Sequence, residues 1–142
     1  MSFREVRLEI LEEHRLLRTA LADVESLRSQ LEAGDGRIAR ALLESGRSLY
    51  QRFAAHLAHE DRALVPAVGA IAGQAVADKI TKEHREQRVL LEYLLGQLAQ
   101  SERPAVLLAR ELQQFATLLE ADMREEEALL LRLDESSSAP AV

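Results

Sequence analysis

The stretch HLAHED, residues 56–61, lies near the middle of the 142-residue chain. Its first histidine, His56, and the carboxylate residue Glu60 are four positions apart, a spacing that places two side chains on one face of an α-helix. An imidazole and a carboxylate placed in this way can bind one metal ion together. The stretch therefore predicts a helix that carries a pair of candidate metal ligands, and three other parts of the chain carry matching residues.

The composition predicts a single all-α domain with an aliphatic core. Hydrophobic residues make up 47% of the chain, aromatic residues only 4%, and there is no tryptophan. A core built mainly from leucine and alanine favours helices, because these residues lose little conformational freedom in a helix. The length is that of one domain with a core of its own.

The charge and the cysteine content exclude several classes of function. The chain has 24 acidic and 18 basic residues, a net charge of −6, which argues against a nucleic-acid surface. It has no cysteine, and therefore neither disulfides nor thiolate metal sites, as expected of a cytoplasmic protein. The charged start of the chain predicts no signal peptide, and no apolar run approaches the ~20 residues of a membrane span.

Apolar residues recur with the period of an α-helix along four stretches of the chain. Glycine, serine and proline residues separate these stretches, and Pro66 marks the predicted end of the second helix. The predicted helices cover residues 3–32, about 37–67, about 73–99 and 104–133. Short turns between four helices predict an up-down-up-down four-helix bundle over residues 1–133. Residues 134–142 are polar or small and are expected to form a flexible C-terminal tail.

Six residues on the apolar stripes of these helices carry candidate ligand atoms. They are His14, His56, Glu60, His84, Asp122 and Glu126. In an antiparallel helix pair, two residues equidistant from the turn lie at the same height. The midpoints of successive pairs among the three histidines and Asp122 are residues 35, 70 and 103, which lie in or beside predicted turns. These four residues are therefore expected to form one layer, and the two glutamates a second layer about 6 Å along the axis.

A metal centre would explain why three carboxylates point into the bundle. Burying an unpaired carboxylate costs several kcal/mol, and two divalent cations would balance the charge with room for a hydroxide or oxo bridge. Imidazole and carboxylate ligands without thiolate suit iron, manganese or zinc. His59 is rotated away from this face and is expected on the half-exposed surface. Glu125 and Glu127 are expected to be solvated, and either is available to the metal if Asp122 does not reach.

The ligand pattern resembles that of the hemerythrin-like (HHE cation-binding) family, whose motif is H…HxxxE…H…HxxxE on four helices. His14, the His56–Glu60 pair, His84 and Glu126 match positions of this motif, and the resemblance covers roughly residues 5–133. It implies a non-haem di-iron centre bridged by the two glutamates and an oxo or hydroxo group. It also implies a protein that binds or senses oxygen or nitric oxide, or that handles iron.

One ligand departs from the family motif, because Asp122 stands where the last histidine is expected. Arg88 stands where the oxygen-carrying members have a further histidine. Asp122 is expected to bind metal in the place of the imidazole, or else to accept a hydrogen bond from a ligand. A centre with fewer imidazoles and more carboxylates favours the oxidised metal, so reversible oxygen carriage is not expected. Two iron ions are the principal expectation, with a single ion, manganese or zinc as alternatives.

A four-helix bundle can also serve two other classes of function. A ferritin-like oxidase or iron store needs Glu-x-x-His pairs, and the sequence has none. A four-helix protein-interaction module with a degenerate or empty metal site is the alternative function, and metal analysis would distinguish it. No pattern of a catalytic nucleophile or phosphate-binding loop occurs, so enzymatic activity is not favoured. The expected partner is oxygen or nitric oxide, with no nucleic acid or membrane, and the sequence identifies no protein partner.

Overall fold

The computed structural model describes residues 2–33, 37–98 and 104–138, all but a few of them helical. The helices are α1 (Phe3–Glu32), α2 (Ile38–His59), α3 (Val65–Ala72), α4 (Gln74–Leu98) and α5 (Ala105–Ser138), with a π-helical turn at Glu60–Leu64. Since α2, the π turn and α3 follow one another without a break, they form one rod, and the described residues make up four rods and no strand. The predicted four-helix bundle is confirmed.

The ends of the rods follow from local chemistry. Ser2 caps α1, where its hydroxyl accepts a hydrogen bond from the Glu5 backbone N–H at 3.2 Å. Gly73 ends α3 with a φ of 95°, a left-handed conformation that glycine adopts without the steric cost of a Cβ. The predicted turns at residues 34–36 and 101–103 lie outside the described residues.

The predicted end of the second helix near residue 67 is wrong, because the rod continues to Ala72. Proline normally breaks a helix because it has no N–H to donate and its ring crowds the preceding turn. Here Pro66 lies in the first turn of α3, directly after the π turn, where the Val65 N–H bonds to the carbonyl of Glu60. The wider π turn therefore accommodates the proline, and the chain reverses at Gly73 instead.

The C-terminal boundary also differs from the sequence prediction, because α5 continues past residue 133 to Ser138. The Asp134 carboxylate is buried, and its Oδ2 lies 3.0 Å from Arg7 Nη1 and 3.4 Å from Arg4 Nε. These ion pairs join the end of α5 to the start of α1, so the predicted tail begins too early. Residues 139–142 lie outside the described part of the chain.

Two apolar clusters form the core, and a polar layer separates them. The larger cluster packs around Tyr50, Phe53 and Phe115, and the smaller one lies towards the chain ends. Along α1, Ile10 belongs to the smaller cluster and Leu17 to the larger, so the buried His14 lies between them. The core is thus interrupted at the height of the candidate ligands.

In the described part of the chain, no helix combines the length and the hydropathy that crossing a membrane requires.

Candidate metal centre

Five of the six predicted ligands come together in the polar layer. His14, His56, Glu60 and His84 are each at most 3% exposed, and the Glu126 side chain is 17% exposed. Each of the four rods contributes at least one of them. Charged and polar side chains are rarely buried at this depth without partners, and here their partners are one another.

The two glutamates lie between two groups of histidines. Glu60 Oε1 contacts His56 Nε2 and lies 3.5 Å from His14 Nε2, while Glu60 Oε2 lies 2.9 Å from His84 Nε2. Glu126 repeats this arrangement, with Oε1 at 3.1 Å from His14 Nε2 and Oε2 at 3.9 Å from His84 Nε2. Each carboxylate therefore presents one oxygen to the pair formed by His14 and His56 and the other oxygen to His84.

The donor atoms are close enough to bind a metal ion with little rearrangement. One ligand atom from each of His14, His56, Glu60 and Glu126 lies within 4.8 Å of the other three. Two ligands on opposite sides of an ion are about 4.2 Å apart when each bond is about 2.1 Å. A cavity of about 20 Å³ adjoins these atoms, room for one water-sized occupant. In the buried cluster, Glu60 Oε2 and Glu126 Oε1 have no partner of hydrogen-bonding geometry, so the donor set fits a cation.

Of the predicted first layer, His14 and His56 lie side by side, with ring centroids 4.9 Å apart, but His84 departs from the prediction. His84 contacts Glu60 and Glu126 instead of lying level with His56. The prediction placed the turn between these helices at residue 70, but the chain reverses at Gly73. The midpoint of Glu60 and His84 is residue 72, beside the actual turn, so the later reversal moves His84 to the height of Glu60.

Outer carboxylates orient the histidine rings. His14 Nδ1 donates to Glu127 at 3.1 Å, and His84 Nδ1 donates to Asp61 at 2.7 Å. A carboxylate that faces Nδ1 keeps a proton there and leaves Nε2 as the atom that can bind a metal. His56 Nδ1 lies 3.4 Å from Glu13 without hydrogen-bond geometry. All three rings therefore direct Nε2 towards the centre of the bundle.

Arginines hold the outer carboxylates of His14 and His84. Arg18 Nη2 lies 2.7 Å from Glu127, and Arg88 pairs with Asp61. Burial acts to raise the pKa of Glu127 and of Asp61, but their histidine and arginine partners outweigh it and lower both pKa values. These carboxylates are therefore charged at neutral pH, as hydrogen-bond acceptors for a histidine should be.

Buried ion pairs shift the pKa values within the cluster. Burial acts to lower the pKa of His14, but contacts with Glu126 and Glu60 outweigh it and raise the pKa to about 10. Burial also acts to lower the pKa of His84, but contacts with Glu126, Glu60 and Asp61 outweigh it and raise the pKa to about 10. Burial acts to raise the pKa of Glu60, but its three histidine contacts hold the pKa well below its usual range. In the metal-free protein both histidines are therefore cationic at neutral pH.

Asp122, the sixth predicted ligand, lies at the edge of the cluster. It is half-buried and lines the same cavity as His14, His56 and Glu126. Its Oδ2 accepts a hydrogen bond from Gln87 Nε2 at 2.7 Å. Burial raises the pKa of Asp122, the Gln87 contact lowers it, and the charge of Glu125 raises it further, so the pKa is raised overall.

The sequence prediction missed the roles of Glu13, Asp61 and Glu127. Each directly adjoins a candidate ligand in the sequence, since Glu13 precedes His14 and the other two follow Glu60 and Glu126. A residue next to a ligand on a helix points about 100° around the axis, towards a neighbouring helix. An acidic residue directly beside a candidate ligand in the sequence is the pattern that could have revealed these roles. His59 is half-exposed as expected, and its Nδ1 contacts Glu13.

Comparison with known proteins identifies one family. The family model described as "Hemerythrin HHE cation binding domain" matches residues 8–133, which is most of the chain and includes every residue of the polar layer. No curated protein and no solved structure matches significantly.

Proposed function

The chain belongs to the hemerythrin HHE cation-binding family, and from this premise we propose that it is a non-haem iron protein. The proposed centre holds two iron ions and binds or senses a small diatomic ligand, oxygen or nitric oxide. The proposed ligands are His14, His56, Glu60, His84 and Glu126, with Asp122 completing the set.

The observation that supports two ions is the orientation of the two carboxylates. Glu60 and Glu126 each direct one oxygen to His14 and the other to His84. A carboxylate whose oxygens face opposite ligand groups is suited to bridge two cations, and two bridging carboxylates would balance part of their charge. One cation position would then have the imidazoles of His14 and His56, and the other would have only that of His84.

The surrounding residues prepare the site for cations. Glu127 and Asp61 keep Nδ1 of their histidines protonated and so direct Nε2 inward, while Arg18 and Arg88 hold these carboxylates in place. The flanking apolar clusters limit water around the polar layer, which strengthens electrostatic contacts there. Bound iron would supply the redox chemistry and the open coordination positions that oxygen or nitric oxide requires.

The unequal distribution of imidazoles favours sensing or iron handling over oxygen carriage. The position next to His84 has carboxylate oxygens for its other protein ligands, and Asp122 adds another where the family motif has a histidine. Hard, anionic oxygen ligands stabilise ferric iron relative to ferrous iron. A centre of this kind would oxidise readily in air, and reversible oxygen binding requires that it does not.

The test is anaerobic loading with ferrous iron, followed by exposure to oxygen or to nitric oxide. We expect about two iron ions per chain by elemental analysis, charge-transfer absorption after oxygen, and a paramagnetic resonance signal of a ferrous nitrosyl species after nitric oxide. Loss of iron in Glu60→Ala and Glu126→Ala, with retention in Glu44→Gln on the exposed face of α2, would support the assigned ligands.

Other outcomes lead to other conclusions. Uptake of one ion per chain would contradict the two bridging carboxylates but not the site. A folded protein that binds no iron, manganese or zinc would contradict the proposal and favour the interaction module with an empty site.

A further inference from the structure

An open groove runs between α4 and α5 down to the centre. Among the described residues, these two helices pack least closely of the neighbouring rods. The groove has a volume of about 530 Å³, and its inner wall includes His84 and Glu126, two of the proposed ligands. A route from solvent to the cluster therefore exists on this side of the bundle.

A hydrogen bond between α4 and α5 lies at the inner end of this groove. Gln87 and Asp122, joined at 2.7 Å, line both the groove and the small cavity beside His14, His56 and Glu60. The pair thus stands where the two spaces meet. Both side chains are half-buried, so their bond can be broken and re-formed without unfolding either helix.

The charge of the groove favours cations. Its lining includes four carboxylates, those of Glu83, Glu125, Asp122 and Glu126, against three cationic side chains, Lys79, Arg132 and the protonated His84. A cleft with an excess of one sign raises the local concentration of ions of the opposite sign and their association rate.

The cavity at the inner end also points to a cation. Glu60, 1% exposed, lines that cavity, and its Oε2 lies 2.9 Å from His84 Nε2 but has no partner of hydrogen-bonding geometry. An acidic groove that leads to such a buried oxygen is arranged to deliver positive charge to it.

We propose that the groove between α4 and α5 is the route by which a divalent cation reaches the centre, and that the Gln87–Asp122 hydrogen bond closes its inner end. This inference rests on the proposed metal-binding function, but it concerns the rate of metal uptake and not the number of ions bound. The rate and the stoichiometry of uptake therefore test the two claims separately.

The experiment measures cobalt(II) uptake by the metal-free protein in a stopped-flow instrument, through the visible absorption of bound cobalt. We expect Glu83→Gln/Glu125→Gln to slow uptake by about three- to tenfold at low ionic strength, with unchanged final stoichiometry. Arg132→Gln should accelerate uptake. The control Asp23→Asn/Glu44→Gln removes the same charge from exposed positions outside the groove and should load at the wild-type rate. Added salt should reduce the differences, because it screens exposed charges.

A second variant tests the closure. Gln87→Ala removes the donor of the hydrogen bond, so we expect faster cobalt uptake and faster cobalt release to a chelator, with the same number of ions bound. Unchanged rates of uptake and release in Gln87→Ala would overturn the closure.

Two results would overturn the route itself. Uptake by Glu83→Gln/Glu125→Gln at the rate of the control, with wild-type stoichiometry, would refute the route and leave the metal-binding function intact. A wild-type protein that binds no cobalt, and no iron in parallel, would remove both proposals.

Discussion

Binding of the two proposed divalent ions should displace about two protons at pH 7, one from His14 and one from His84. The pKa values of His14 and His84 are raised to about 10 by their contacts with Glu60 and Glu126, so both imidazoles carry a second proton in the metal-free protein. A metal ion can bind Nε2 only after that proton has left. Each proposed ion position contains one of these two histidines, so each ion should displace about one proton.

The magnitude follows from this stoichiometry. Since each ion releases about one proton, its apparent affinity should rise about tenfold for each pH unit between about 7 and 9. The slope should flatten as the pH approaches 10, where the pKa values of His14 and His84 lie. Asp61→Asn removes a contact that raises the pKa of His84. In this variant the slope of affinity against pH should therefore flatten at a lower pH than in the wild type.

Isothermal titration calorimetry of cobalt(II) binding in buffers with different ionisation enthalpies counts the protons directly. A plot of the observed enthalpy against the buffer enthalpy should have a slope that corresponds to about one proton per bound ion. A slope near zero, or an affinity that does not change between pH 7 and 9, would refute the conclusion that the histidines are held in the cationic form by the buried glutamates.

Three further predictions concern stability and redox behaviour. In the metal-free protein, the raised pKa values of His14 and His84 contribute stability that is complete below about pH 6.5 and is lost as the pH rises towards 10. The melting temperature should therefore fall over this range. A melting temperature that stays constant would contradict the assigned ion pairs. Tyr50→Phe should raise the free energy of unfolding by about 1 kcal/mol, because the Tyr50 hydroxyl is buried and has no hydrogen-bond partner; a loss in chemical denaturation would indicate a partner. Asp122→His should slow air oxidation of the ferrous-loaded protein relative to the wild type, and Asp122→Ala should lower its iron content, because the first adds a nitrogen ligand and the second removes an oxygen; identical rates and contents in all three proteins would place Asp122 outside the metal ligands.

The fold was predictable because periodicity and helix breakers act locally. The apolar stripes of the four helices and the glycines and prolines between them depend on residues a few positions apart. Pro66 misled the prediction because its effect depends on the π turn before it, in which Val65 bonds to the carbonyl of Glu60. Asp134 misled it because the partners of this carboxylate, Arg4 and Arg7, are about 130 residues away and leave no local pattern.

The same distinction explains what was predicted of the centre. His56 and Glu60 were predicted to lie together because spacing along a helix is a local property, and His14 was placed beside them by its distance from the first turn; the structure brings all three together. The prediction did not recognise that Glu127 and Asp61 orient the histidines, since acidic residues on a helix are usually solvated. The contact between His84 and Glu60 depends on where the chain turns between α3 and α4. This turn lies at Gly73, and the prediction placed it earlier.

The most direct test of the centre is the position of bound metal in crystals of the iron-loaded protein, located by anomalous scattering at the iron edge. We predict one peak about 2.0–2.3 Å from Nε2 of His14 and of His56 and from the nearer oxygens of Glu60 and Glu126. A second peak should lie beside Nε2 of His84, with both carboxylates between the two ions. A map with no peak in the polar layer, or with peaks only at carboxylates on the surface, would contradict the proposed centre.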